Sequence, residues 1–292
     1  MNKHVAHYLT HLAAERRLSA HTVENYRRDL ASLLELAQGA ELQTLDSNQI
    51  RHFIARLHGQ GLSAKSLARR LSAWRGFYHF ACKRQGYAHN PCTDLRAPKA
   101  RRALPEVLSP DACAQLLDRN PEDALEIRDK AMFELFYSSG LRLAELAGLD
   151  LAALDLSAGE ASVTGKGNKT RIVPVGTKAQ EALAAWLHGR NGMARPEEKA
   201  VFVSRNGSRL THRQIALRLE RWAKKAGLDV HVHPHMLRHS FATHVLQSSG
   251  DLRAVQELLG HANISTTQVY THLDFQHLAK VYDTAHPRAK RK

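Results

Sequence analysis

The chain has 292 residues, with 42 Lys and Arg against 28 Asp and Glu, a net charge of +14, and 43% hydrophobic residues. That length exceeds what one core fills efficiently, so two domains are expected, and the positive balance favours a polyanionic partner, because each phosphate neutralised by a basic side chain releases condensed counterions. No apolar run approaches the ~18 residues that span a bilayer, and Met1-Asn2-Lys3-His4 lacks the apolar core of a secretory signal, so a cytoplasmic protein is expected. Cys82, Cys92 and Cys113 are an odd number without close spacing, which reads as reduced structural thiols rather than a disulfide or metal site.

From residue 1 to about 95 the pattern is helical, with essentially no strand signal. Val23, Tyr26, Leu30, Leu33 and Ala37 repeat at three- and four-residue steps, as do Leu67, Leu71, Trp74, Tyr78 and Ala81, each set tracing one apolar face. The second of these helices opens on Ser63 as a cap and carries Lys65, Arg69 and Arg70, which suit DNA phosphates but would equally suit a solvated face. Residues 96–105 form a basic linker: Arg96, Lys99, Arg101 and Arg102 share a short stretch with Pro98 and Pro105 and no acidic residue intervenes. A positive strap between two domains suits a protein that closes around a duplex.

The second domain opens with helices, one of which carries Ala131 and Leu135 and runs into Gly140, with Arg142 starting the next. Ser162-Val163-Thr164, the turn Gly165-Lys166-Gly167-Asn168, and Arg171-Ile172-Val173-Pro174-Val175 read as a β-hairpin. Pro174 cannot donate to a ladder, so its strand is predicted at a sheet edge. The remainder is mostly helical, with one short strand expected at Val201-Phe202-Val203. Gly159 and Gly165-Lys166 superficially suggest a nucleotide phosphate loop, but five residues intervene rather than four and Gly167 replaces the required Ser or Thr.

Cutting a phosphodiester without metal requires a nucleophile, positive charge on the non-bridging oxygens and a proton for the leaving oxygen. Pro234 suits the first turn of a helix, which puts His235 on that turn and Arg238 three residues later on the same side. Arg142 supplies a second planar fork from another helix, and Lys166 stands at a hairpin tip from which it could protonate a leaving oxygen. Asp251 caps a helix buried through Leu252, Val255, Leu258 and Leu259, which Gly260 ends, so His261 falls just outside it. Ser265-Thr266-Thr267-Gln268 then matches a capping box, so the next helix carries Tyr270 in its first turns. Singly these residues have bland readings: a solvated arginine, a turn lysine, a structural histidine, a core tyrosine. Their joint order and spacing point to strand cleavage.

That order resembles the tyrosine recombinases, the phage integrase family of site-specific DNA strand-exchange enzymes, over nearly the whole chain, and the text from His231 to His277 looks like the bacterial Xer branch. The resemblance implies a mainly α fold with a small β-sheet, arranged as a two-domain, Cre-like clamp. Residues 1–95 would be a helical core-binding (SAM-like) domain, 96–105 the basic linker, and 106–292 a mixed α/β catalytic domain. It also implies the roles: Arg142 as first catalytic arginine, Lys166 as hairpin lysine, His235 and Arg238 as the His-x-x-Arg pair, His261 as second histidine, Tyr270 as nucleophile. Arg101 and Arg102 would join Lys65, Arg69 and Arg70 on DNA. No cofactor and no metal is implied: one phosphodiester replaces another, so no ATP is needed, and two arginines stand in place of the metals of other phosphoryl-transfer sites. Implied partners are a double-stranded recombination site, a sister Xer recombinase in a heterotetramer that forms a Holliday junction and resolves chromosome dimers, and an FtsK-type translocase as regulator.

Phe275, Leu278, Ala279 and Tyr282 recur at helical steps, predicting a short amphipathic helix over about 274–283, which by the resemblance docks on a neighbouring subunit, with folding back on its own domain as the alternative; His286 to Lys292 reads as a loose basic tail. Three other readings compete. A type IB topoisomerase would use the same chemistry to relax supercoils, and a non-catalytic DNA-binding protein would not need Tyr270 and both arginines. A zinc hydrolase is prompted by 19 histidines, with His235 and His239 at ligand spacing, but no His-Glu-x-x-His occurs.

Overall fold

A computed structural model describes residues 2–99, 106–165 and 169–259, together with Tyr282, Ala285, His286 and Arg288. The chain divides into two compact units, Met1–Ala103 and Leu104–Lys292. Among the described residues no helix is long and apolar enough to cross a membrane.

The first unit contains four described α-helices: α1 (Lys3–Ala14), α2 (Ala20–Ala37), α3 (Ser47–Gly59) and α4 (Ala64–Arg84). Each begins where a side-chain oxygen takes an otherwise orphaned amide hydrogen: Asn2 from His4, Ser19 from Thr22, Asp46 from Gln49, and Ser63 from Ser66. The predicted apolar stripes are the packed faces, with Leu30, Leu33, Leu67, Trp74 and Tyr78 buried together. Buried polar tips are answered within the bundle, Trp74 Nε1 donating to Asp29 O at 2.7 Å and Tyr78 Oη to Leu42 O at 2.9 Å, which spares the cost of desolvated donors.

The second unit contains α5 (Pro110–Leu117), α6 (Ala124–Ser139), α7 (Leu143–Gly148), β1 (Leu154–Asp155), β2 (Glu160–Thr164), β3 (Thr170–Pro174), α8 (Thr177–Arg190), α9 (His212–Lys225), α10 (Pro234–Ser249) and α11 (Leu252–Leu259). Helix α6 is buried on all sides from Ala131 to Ser139, as expected of a helix at the centre of a core. Its buried charges are each answered: Asp129 by Arg128 and Arg218, Glu134 by Arg288. The sheet is antiparallel in the order β1-β2-β3, which leaves β3 and its Pro174 at an edge as predicted.

Two expectations need correction. Val201-Phe202-Val203 does not form a continuous strand: only isolated bridges flank it, Ala200 to Asp150 and Val203 to Arg209. The apolar run is instead a fully buried crossing segment, which periodicity cannot tell from a strand. The two described residues of the expected loose tail, His286 and Arg288, are packed onto the second unit. His286 is buried and Arg288 forks onto Glu134, while Tyr282 lies in the core of the second unit. Phe275, Leu278 and Ala279 lie outside the described residues.

Candidate active site

Helix α6 ends at Gly140, held at φ +56 where a Cβ would stand 2.3 Å from the Phe241 ring, so only glycine fits. Leu141 is buried next, and Arg142 follows as the residue before α7. Its backbone N–H donates to Glu145 Oε2 and its Nη1 to Glu145 Oε1, both at 2.7 Å. This one carboxylate therefore caps α7 and aims the arginine that precedes it.

Arg238 reaches the same place from α10, whose start is set by His233, whose Nδ1 accepts from Met236 N, and by Pro234. Its guanidinium donates to Gly140 O and, at 2.7 Å, to Leu259 O, with Nη1 4.0 Å from Glu145 Oε2. Burial, then the neighbouring charge of Arg142, pushes its pKa down to about 10, which still leaves a cation at neutral pH. The Arg142 side chain is 32% exposed against 9% for Arg238, so the first faces solvent and the second backs it. His235 is exposed on the opening turn of α10, its ring 6.4 Å from that of His233.

Sequence reasoning missed two members of this cluster. Glu145 is buried and is gripped by Arg171 through a two-pronged pair at 2.6 and 2.9 Å. Burial alone would raise its pKa, but the bonds from Arg171 and Arg142 win and hold it at about 2. Arg171 also donates from Nε to Leu258 O at 3.1 Å. Glu145 stands three residues after Arg142, as a cap carboxylate does, but that spacing does not tell a buried pair from a solvated one, and for Arg171 alternation misleads, since Ile172 rather than the arginine is the residue expected to face inward.

Lys166, His261 and Tyr270 lie outside the described residues, as do Arg101 and Arg102. What flanks them is described. Gly165 N donates to Lys169 O at 2.8 Å, closing the hairpin beside Lys166, and a Cβ on Gly165 would sit 3.0 Å from Glu145 Oε1. Helix α11, capped by Asp251 accepting from Ala254 N, delivers its last carbonyls to Arg171 and Arg238 just before His261. In the first unit Lys65 is exposed on α4, whereas Arg69 and Arg70 both turn to the buried carboxylate of Asp29. Among the described residues no three His, Cys, Asp or Glu side chains converge as metal ligands.

Glu145→Gln is expected to destabilise the chain by about 3 kcal/mol at pH 7, the scale of a carboxylate moved from 4.5 to about 2. Because the folded pKa is the depressed one, that contribution is full above pH 4.5 and is lost as pH falls toward 2. Urea unfolding at pH 7 and pH 3 should show the gap between parent and variant narrowing in acid; an equal gap at both would refute the assignment.

Residues 106–277 match the Phage integrase family and residues 5–85 the N-terminal SAM-like domain of phage integrases. The chain belongs to the phage integrase family of tyrosine recombinases. It is 58% identical over 289 residues to tyrosine recombinase XerC of Pseudomonas aeruginosa, covering 98% of this chain and 95% of that protein. Identity to XerC of Azotobacter vinelandii is 56%, covering 98% and 96%. Among solved structures, XerH recombinase bound to palindromic difH substrate in a post-cleavage complex aligns at a TM-score of 0.71 and 25% identity, covering 92% of this chain and 81% of that one. A λ integrase dimer on a core site has the same fold, at a TM-score of 0.70 and 17% identity over 91% and 98%. This tyrosine recombinase is thus a site-specific DNA strand-cleaving and rejoining enzyme, mostly helical with one small sheet.

Proposed function

We propose that this recombinase cuts one DNA strand at a time by attack of Tyr270 on the scissile phosphate, leaving a 3′-phosphotyrosyl link and a free 5′ hydroxyl. Arg142 and Arg238 carry the developing charge on the non-bridging oxygens, with His235 and His261 beside them, and Lys166 protonates the departing 5′ oxygen. Rejoining reverses the step with the 5′ hydroxyl of a second strand, so one phosphodiester replaces another and no energy source is consumed. The observation that carries this reading is the pair of guanidinium groups brought from the residue before α7 and from α10 around one buried carboxylate. Lys65, Arg69, Arg70, Arg101 and Arg102 would hold backbone phosphates of the duplex.

By its kinship with XerC, the chain works with a XerD-like recombinase in a heterotetramer through a Holliday junction, in the cytoplasm on the nucleoid. It resolves chromosome dimers under an FtsK-type translocase. Footprinting on genomic fragments supplies the site, and a suicide substrate nicked near the cleavage point then traps the covalent adduct. The adduct should form in excess EDTA, map to Tyr270, and on two-site DNA with the partner proceed to junctions. Adduct formation that EDTA stops and zinc restores would overturn the reading, and relaxation of supercoils without junctions would turn it into a topoisomerase.

A further inference from the structure

We propose that Arg171 is a positioning residue for strand cleavage: it locks into one geometry the arginine, the hairpin and the helix end from which the reacting groups project. The inference rests on the reading that Arg142 and the hairpin tip act at the scissile phosphate. In β3 the exposed residues are Thr170 and Ile172 while Arg171 and Val173 are buried, so a cation occupies an inward position and an isoleucine the outward one. Facing Val163 across the ladder, Arg171 lies in the same layer as the sheet's apolar residues. An unforced strand would place these side chains the other way round.

Three of the arginine's donors are committed. Nη1 and Nη2 take the two Glu145 oxygens, and Nε takes Leu258 O near the C-terminus of α11. With a side chain 8% exposed, Arg171 does not present its charge to a duplex; it acts through what it holds. Glu145 aims Arg142. Gly165, next to the hairpin tip, packs so closely on the cluster that an added Cβ would come within 3.4 Å of Arg142 Nη1 and 3.6 Å of Arg171 Nη1. Leu258 belongs to the last turn of α11, whose following carbonyl is held by Arg238. One guanidinium thus ties β3, α7 and α11.

A buried ion pair is not in itself evidence of added stability, since apolar replacements often do as well. Its distinctive capacity here is geometric. The planar fork meets both carboxylate oxygens while Nε points elsewhere, which a lysine ammonium cannot reproduce. Displacing a reacting group by about 1 Å costs on the order of a hundredfold in rate.

Arg171→Lys keeps the charge and loses the fork, so it is the informative variant in the full-length chain. Single-turnover cleavage of the suicide substrate by the folded fraction at saturating protein is expected to slow about a hundredfold, a larger loss than any fall in the urea midpoint accounts for, while DNA affinity stays near that of the parent. If Arg171 works through Glu145, the losses from Arg171→Lys and Glu145→Gln should combine to less than their product, because the two changes disrupt one contact in common while Glu145→Gln also loosens Arg142. Gly165→Ala leaves Arg171 in place but crowds the same cluster, most tightly against Glu145 Oε1, and should slow cleavage about tenfold, which keeps the test open should Arg171→Lys fold poorly. Parental cleavage rates in both Arg171→Lys and Gly165→Ala, or losses that multiply in the double variant, would overturn the proposal. So would a rate loss matched by the unfolded fraction. A parent protein that forms no adduct on any footprinted site is a different failure, since it removes the recombinase reading itself.

Discussion

Tyr270→Phe is expected to bind its DNA site within about twofold of the parent and to lose covalent capture by at least ~10⁴-fold, the scale of deleting a nucleophile. The change removes one hydroxyl and keeps the ring, so phosphate contacts by basic residues and the packing of both units are untouched. Without that oxygen no phosphotyrosyl bond can form, and substitution by water would give a free 3′ phosphate that cannot be rejoined. The arginines should behave in another way. Arg142→Ala or Arg238→Ala removes one preorganised charge and is expected to slow cleavage by on the order of a hundredfold or more while the residual product remains a protein–DNA adduct. A denaturing gel separates the cases: a covalent band from Tyr270→Phe would move the nucleophile elsewhere in the chain.

Binary patterning made much of this fold legible. The faces built on Leu30 and Leu33, and on Leu67, Trp74 and Tyr78, were readable because a helix buries one stripe, and the hairpin because its apolar alternation brackets a glycine-rich turn. Arg142 and Arg238 were readable through their spacing to other motif residues. Glu145 and Arg171 were not, for a physical reason. A carboxylate three residues from an arginine usually marks a solvated helix pair, and an arginine in a strand usually points to water. Only the tertiary meeting of α7, β3 and α10 turns these charges into one buried network. The tail beginning at His286 misled the reading in the opposite sense, since Arg288 looks like one more surface cation until Glu134 and Asp118 are seen to face it.

Truncation after Asp274 is therefore expected to unfold the second unit, not merely to disconnect it from a neighbour. Four described residues would leave its core. Tyr282 is almost fully buried, its hydroxyl 2.6 Å from Ser138 Oγ, which in turn accepts from Gly176 N at 2.8 Å. Its ring stacks on His286 at 4.8 Å, and Ala285 is buried beside it. Removing an aromatic side chain of this kind costs about 3–5 kcal/mol in lost burial together with the cavity left behind. Arg288 is the fourth loss, and it leaves Glu134 on the central helix without its partner. Burial already pushes that carboxyl up against the pull of Arg288, so without the arginine it must take a proton or remain an uncompensated charge, at about 3–5 kcal/mol. Together these losses approach the whole stability of a domain, about 5–15 kcal/mol. Urea unfolding should show the transition of the second unit lost or shifted to far lower denaturant, with DNA binding lost alongside it. Arg288→Met, which removes only the charge pair, should give an intermediate midpoint. A truncated chain that unfolds at the parental midpoint and binds single sites normally would show instead that the C-terminal segment serves assembly alone.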